Sequence, residues 1–236
     1  MIPLKSDNPI LTFPLVTLLL ILTNIFIFTY QLSPVAQHNH FTDKFGANPS
    51  QIVSQPLKPI IYQGAKRRLI LPTAATVVTS MFLHGSYLHI FFNMLFLWIF
   101  GPSVEDKVGR LRFIFFYFLT GIIATLTFIA VDPRSSIPLI GANGAIAGIM
   151  GAYLMLFPWA KILCWFILLF RIPALVFLGF WIALQFWNAH NTPRELKEVA
   201  WFAHIGGFLS GFLLIHLFVR RGALSTNKKI RFAHNK

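Results

Sequence analysis

Five polar side chains stand inside otherwise apolar stretches: His84, His89 and Asn93 in FLHGSYLHIFFNM, Asn143 in GANGAIAGIMG, and His204 in FAHIGGFLSG. A neutral imidazole can take a proton from a hydroxyl or a water, and a carboxamide can donate to a developing oxyanion, so the set suits general-base and acyl-transfer chemistry. His89 and Asn93 are four residues apart, about 40° around a helix, and share one face. His84 lies about 140° from His89 and reaches the same spot only if the helix breaks between them. Metal ligation is the competing use of such residues. No metal site is expected, because the histidines lack the i, i+4 pairing with a glutamate seen in zinc enzymes and no carboxylate lies inside an apolar stretch. The lone Cys164 allows no intrachain disulfide and reads as a small apolar residue.

Small residues show how these groups could meet. Gly144, Gly148 and Gly151 form a stripe on one apolar stretch, and Gly207 and Gly211 form a G-x-x-x-G on another. Such stripes let two helix backbones approach closely in lipid. The approach is expected to bring Asn143 and His204 together. Taken alone, Asn143 also reads as a helix N-cap.

The elements that must position these residues follow from composition. The chain is 56% hydrophobic, 16% aromatic and only 11% charged, with mean hydropathy +0.67, against roughly 25% charged residues in soluble domains. No Asp, Glu, Lys or Arg occurs between Asp7 and Asp43, Arg68 and Glu105, Arg112 and Asp132, Arg134 and Lys161, Arg171 and Arg194, or Glu198 and Arg220. Each gap holds about 20 apolar residues, enough to cross a bilayer as a helix. The expectation is an all-α integral membrane protein with six transmembrane helices over 10–30, 79–100, 113–131, 143–157, 162–187 and 199–219. Gly101-Pro102 is expected to end the second. Short connections after the third and fourth make those helices antiparallel neighbours.

The domain layout is a cytoplasmic N-terminus at 1–9, one membrane domain at 10–220 with a long interfacial loop at 31–70, and a basic cytoplasmic tail at 221–236. The first apolar stretch exceeds a signal-peptide core and reads as a retained helix. The formal charge of +13 is spread over loops and tail, so the partner expected for it is an anionic lipid surface and no nucleic acid. Six Lys or Arg from residue 220 onward, with no acid, place both termini in the cytoplasm by the positive-inside rule, against the opposing signal of Lys66, Arg67 and Arg68. Absence of internal repeats and of buried charge pairs disfavours a transporter.

The motifs FLHGSYLHIFFNMLFLWIFGPSVEDKVG, GANGAIAGIMGAYL, RIPALVFLGFW and AHIGGFLSG, in this order, resemble the rhomboid intramembrane serine proteases over roughly residues 69–220. The resemblance implies a six-helix rhomboid-like bundle with a water-filled cavity open to the outer side, in a bacterial inner membrane and without a cofactor. It implies that a serine at the head of the fourth helix is activated by a histidine on the sixth, the position of His204. It places His89 and Asn93 at the oxyanion, His84 beside them, and Glu105 in a structural role. The chain departs from the pattern G-x-S-G, reading Gly141-Ala142-Asn143-Gly144, and lacks the Trp-Arg pair common before the second helix. A carboxamide nitrogen has a delocalised lone pair and is no nucleophile. The function expected is a catalytically impaired pseudoprotease that binds transmembrane segments of client proteins; the alternative is an active intramembrane endopeptidase that uses another nucleophile or a water.

Overall fold

The computed structural model describes residues 1–64, 67–165, 168–192 and 200–219. The tail at 221–236 lies outside them. Among the described residues six long helices carry the architecture: α1 (Leu15–Gln31), α2 (Tyr87–Val108), α3 (Arg110–Val131), α4 (Asn143–Leu156), α5 (Ala174–Asn191) and α6 (Trp201–Phe218). Of these, α2, α3 and α6 are long and apolar enough to cross a membrane, while α1 and α4 are shorter apolar helices. The outer surface is itself apolar: Phe26, Phe91, Trp98, Phe115, Trp187 and Leu217 are all exposed, as suits a lipid-facing bundle rather than a water-facing one.

Helix α4 is the centre. Every residue from Ala145 to Leu154 is buried, and the contacts of α4 with α6 are the most extensive between any two elements described. Glycine makes this possible. A Cβ on Gly207 would overlap the carbonyl oxygen of Gly144, and one on Gly211 that of Gly148, whereas Cβ atoms on Gly144 and Gly148 would meet Ala124 and Thr120 of α3. The α6 pair thus faces the α4 backbone, while of the α4 stripe Gly144 and Gly148 face α3 and Gly151 faces the Phe208 carbonyl of α6.

Several sequence expectations shift. The stretch 73–82 forms separate short helical turns, and α2 starts only at Tyr87, where Ser86 accepts the His89 N–H and caps it. The helix then runs through Gly101-Pro102 to Val108. Pro102 forgoes one backbone bond, but Gly101 to Glu105 are all buried, and Glu105 secures the neighbouring helix end. Its carboxylate accepts from the Val16 N–H (2.9 Å), the Thr17 N–H (2.8 Å) and the Thr17 hydroxyl (2.7 Å). Pro14 gives α1 no capping side chain, so Glu105 satisfies the free N–H groups of the first turn from across the bundle.

The expected fifth span also changes. The start of that stretch is strand, not helix: β4 (Lys161–Trp165) and β5 (Leu169–Pro173) pair antiparallel, with β1 (Ile2–Ser6) antiparallel beside β4. The connection between α4 and α5 therefore holds a strand pair and is not a short turn. An apolar run of this length suits either structure, and the free edge of β4 finds a partner only in tertiary contact. The loop after α1 is built from Pro34–His38, Phe41–Phe45 and Pro49–Ser54, followed by the hairpin β2 (Pro59–Gly64) and β3 (Arg67–Pro72). It is tied to the bundle by Thr79 Oγ1 donating to the Phe45 carbonyl and by Ala47 pairing with Leu139.

Candidate active site

The starts of α2, α4 and α6 converge with the end of α3 on a cavity of about 670 Å³, lined by His89, Asn93, Asn143 and His204 and by apolar residues such as Phe92, Phe128 and Trp181. That size falls within the range of ligand-binding clefts. The four polar groups predicted to share a site do line one cavity. Their pairing differs from the expectation.

Asn143 does not cap α4. The N-cap position is Ala142, without a side-chain hydrogen bond, and Asn143 Nδ2 lies 2.9 Å from His89 Nε2. On the ring's other side the Gly85 N–H donates to His89 Nδ1 at 3.4 Å, so the imidazole is held between Gly85 and Asn143. The turn that permits this contact is Gly141, whose φ of +114° suits glycine and whose added Cβ would fall 2.7 Å from His89 Nε2. Asn93 Nδ2 donates back to the His89 carbonyl at 2.8 Å, and its Oδ1 is buried without a partner among the described residues.

His204 turns to α5 instead. Its Nδ1 lies 2.8 Å from Gln185 Oε1, and its ring packs against Trp181, with centroids 5.8 Å apart, and edge-on to Trp201. Gln185 escaped the sequence reading. The signal was present, for Gln185 is the one carboxamide in the apolar run ALVFLGFWIALQFW, and a polar group at such depth calls for a partner.

His84 sits behind the cavity wall and is absent from its lining. Because the helix breaks before Tyr87, its ring reaches that of His89 after all, with centroids 5.1 Å apart. Both its ring nitrogens are buried without partners among the described residues. Among the described residues Thr125 is the only hydroxyl in the lining, and its Oγ1 donates to the Gly121 carbonyl at 3.0 Å. Among the described residues, no three His, Cys, Asp or Glu side chains cluster as a metal site would need.

A family model described as the Rhomboid domain matches residues 72–221, a stretch that holds all of these cavity-lining groups. The chain belongs to the rhomboid family. It is 31% identical over 142 residues to "Rhomboid protein 1, mitochondrial" of Saccharomyces cerevisiae, covering 58% of this chain and 40% of that protein. It is 28% identical over 154 residues to "Putative rhomboid protease YdcA" of Bacillus subtilis, covering 61% and 67%. "RHOMBOID-like protein 1" of Arabidopsis thaliana is 34% identical over 144 residues, covering 61% and 34%. The rhomboid match thus spans less than half of the yeast and plant relatives' length. This is a rhomboid-family membrane protein, and its helices supply the apolar surface that membership requires.

Proposed function

We propose that this rhomboid-family chain crosses the bilayer six times with both termini cytoplasmic, and that it is a pseudoprotease receiving transmembrane segments of client proteins at its cavity without cutting them. The observation that carries the reading is the hydrogen bond between Asn143 and His89. The pattern that the chain resembles needs a hydroxyl at position 143, able to pass its proton to His204 and attack a carbonyl to form an acyl-enzyme. The carboxamide cannot do this. It also occupies His89 Nε2, the nitrogen that would otherwise face an oxyanion in the cavity. Thr125, whose hydroxyl is spent on the Gly121 carbonyl, is no substitute.

The orientation rests on charge. The ends of the bundle are tied by Arg110 Nη2 to the Phe13 carbonyl, Arg112 Nη1 to the Phe218 carbonyl, and an Arg171–Asp7 ion pair of 3.4 Å. That end also carries Lys5, Lys107 and Lys161, and the cavity opens near the opposite one. The positive-inside rule makes the basic end cytoplasmic, and the basic tail then lies against anionic headgroups. Helix α4 has 14 residues, about 21 Å of rise against a hydrocarbon layer of about 30 Å. Its start therefore lies at depth, where only a polar cavity accommodates it.

A second reading is hydrolysis by a water activated at His204, favoured by its Nδ1 bond, which leaves Nε2 as an acceptor. Proteoliposomes holding a transmembrane substrate with a helix-weakening segment separate the two. The native protein is expected to crosslink to the substrate without cutting it, Asn143→Ser to cut, and Asn143→Ser with His204→Ala to be silent. Loss of the nucleophile alone costs on the order of 10⁶ in another serine hydrolase, so the contrast is large. Cleavage by the native protein that disappears in His204→Ala would overturn the pseudoprotease reading.

A further inference from the structure

We infer that Gln185 is a positioning residue that sets the tautomer and the ring orientation of His204, leaving Nε2 as the nitrogen available to the cavity. Gln185 is 5% exposed on α5. Its Nε2 donates to the Trp181 carbonyl at 2.9 Å, one turn back along the same helix. That bond decides which end of the carboxamide is which, so the atom 2.8 Å from His204 Nδ1 is the oxygen. An oxygen of this kind only accepts. His204 Nδ1 must therefore carry the ring proton, and a neutral imidazole has only one, so Nε2 is bare.

Two indoles complete the mount. Trp181, whose carbonyl holds Gln185, also lays its ring along His204, while Trp201 meets the same imidazole edge-on at 6.0 Å between centroids. Rotating the ring by half a turn would exchange Nδ1 for a carbon and leave the buried Gln185 oxygen unpaired, in a setting with little water to replace the bond. A histidine on one helix is thus aimed by a carboxamide on another. The proposed function is needed only for what His204 serves; the assignment of its proton stands on the hydrogen bonds.

The test reads that proton directly. Imidazole ¹⁵N spectra are recorded at neutral pH on the full-length protein in lipid nanodiscs, labelled at histidine, with the His204 signals identified as those missing from His204→Gln. The native protein is expected to show a protonated Nδ1 and a bare Nε2. In Gln185→Leu the two signals are expected to average or exchange, and in Gln185→Glu, which keeps an acceptor oxygen at Nδ1, that nitrogen should stay protonated. A proton on Nε2 in the native spectrum overturns the inference even if no variant folds. So does a Gln185→Leu spectrum identical to the native one, or a folded Gln185→Glu in which Nδ1 is bare. No client or cleavage enters the measurement, so its failure is separate from that of the pseudoprotease reading.

Discussion

The carboxamide of Asn143 hydrogen-bonds the imidazole of His89, 2.9 Å away at the cavity, while His204 is bonded to the buried Gln185 of α5. A double-mutant cycle between Asn143→Ala and His89→Ala should therefore show a coupling of about 1 kcal/mol. The cycle between Asn143→Ala and His204→Ala should show less than about half of that. Unfolding in mixed micelles provides the free energies, and the opposite ranking would mean that the Asn143 side chain turns to α6.

Packing of α6 on α4 depends on missing side chains. Gly207→Ala puts a Cβ into the Gly144 carbonyl and should destabilise the bundle by about 3 kcal/mol, the upper end of ordinary overpacking costs. Gly179→Ala, in α5 with open space around it, should be neutral or stabilising by up to about 1 kcal/mol, as helix propensity dictates. Resistance to denaturing detergent compares the two directly.

Glu105 caps α1 from the end of α2. Glu105→Ala removes the acceptor of three buried donors and should cost about 2 to 3 kcal/mol, with Glu105→Gln between it and the native protein because one acceptor oxygen survives. Asp106→Asn, whose partners at Thr12 are exposed, should change stability by less than about 0.5 kcal/mol. Thermal melts of the three variants rank these effects. Equal losses for Glu105→Ala and Asp106→Asn would refute the capping role.

Tyr62 in β2 is packed against Phe41 and Phe45 and shares a hydrogen bond of 2.8 Å with the Tyr30 hydroxyl. Burial first, and then the Tyr30 contact, push its hydroxyl up from 10.0 to about 12. The neutral form is the one the fold favours, so this contribution to stability is complete below pH 10 and is lost as the pH rises through 10 to about 12. Absorbance titration of tyrosinate against Tyr62→Phe should show one late-ionising group missing from the variant, with the hairpin loosening over the same range. An early ionisation, near pH 10, would contradict the buried pair.

Polar groups in apolar stretches announce themselves because lipid makes them costly, which is why His84, His89, Asn93, Asn143 and His204 could be singled out from residue type alone. Glycine spacing likewise foretold that α4 and α6 touch, since only missing side chains permit that approach. Ordered motifs were enough for the family. Strand formation in β4 and β5 was not legible, because an apolar run becomes a strand or a helix according to what completes its backbone hydrogen bonds, and β1 lies more than 150 residues away in the chain. The start of α2 was hidden for a similar reason: Ser86 acts as a cap only once the preceding segment is held by the loop after α1.

Residue types alone assign this chain to a membrane and pick out the polar side chains that enter the apolar layer, because both follow from the cost of moving each residue type out of water. Which group partners which is set by the packing of the helices. A buried carboxamide or imidazole declares that it needs a hydrogen bond, and nothing in its spacing says from which helix the bond will come; the glycine contacts of α4 with α6 and the turn at Gly141 send Asn143 to His89 and leave His204 to Gln185.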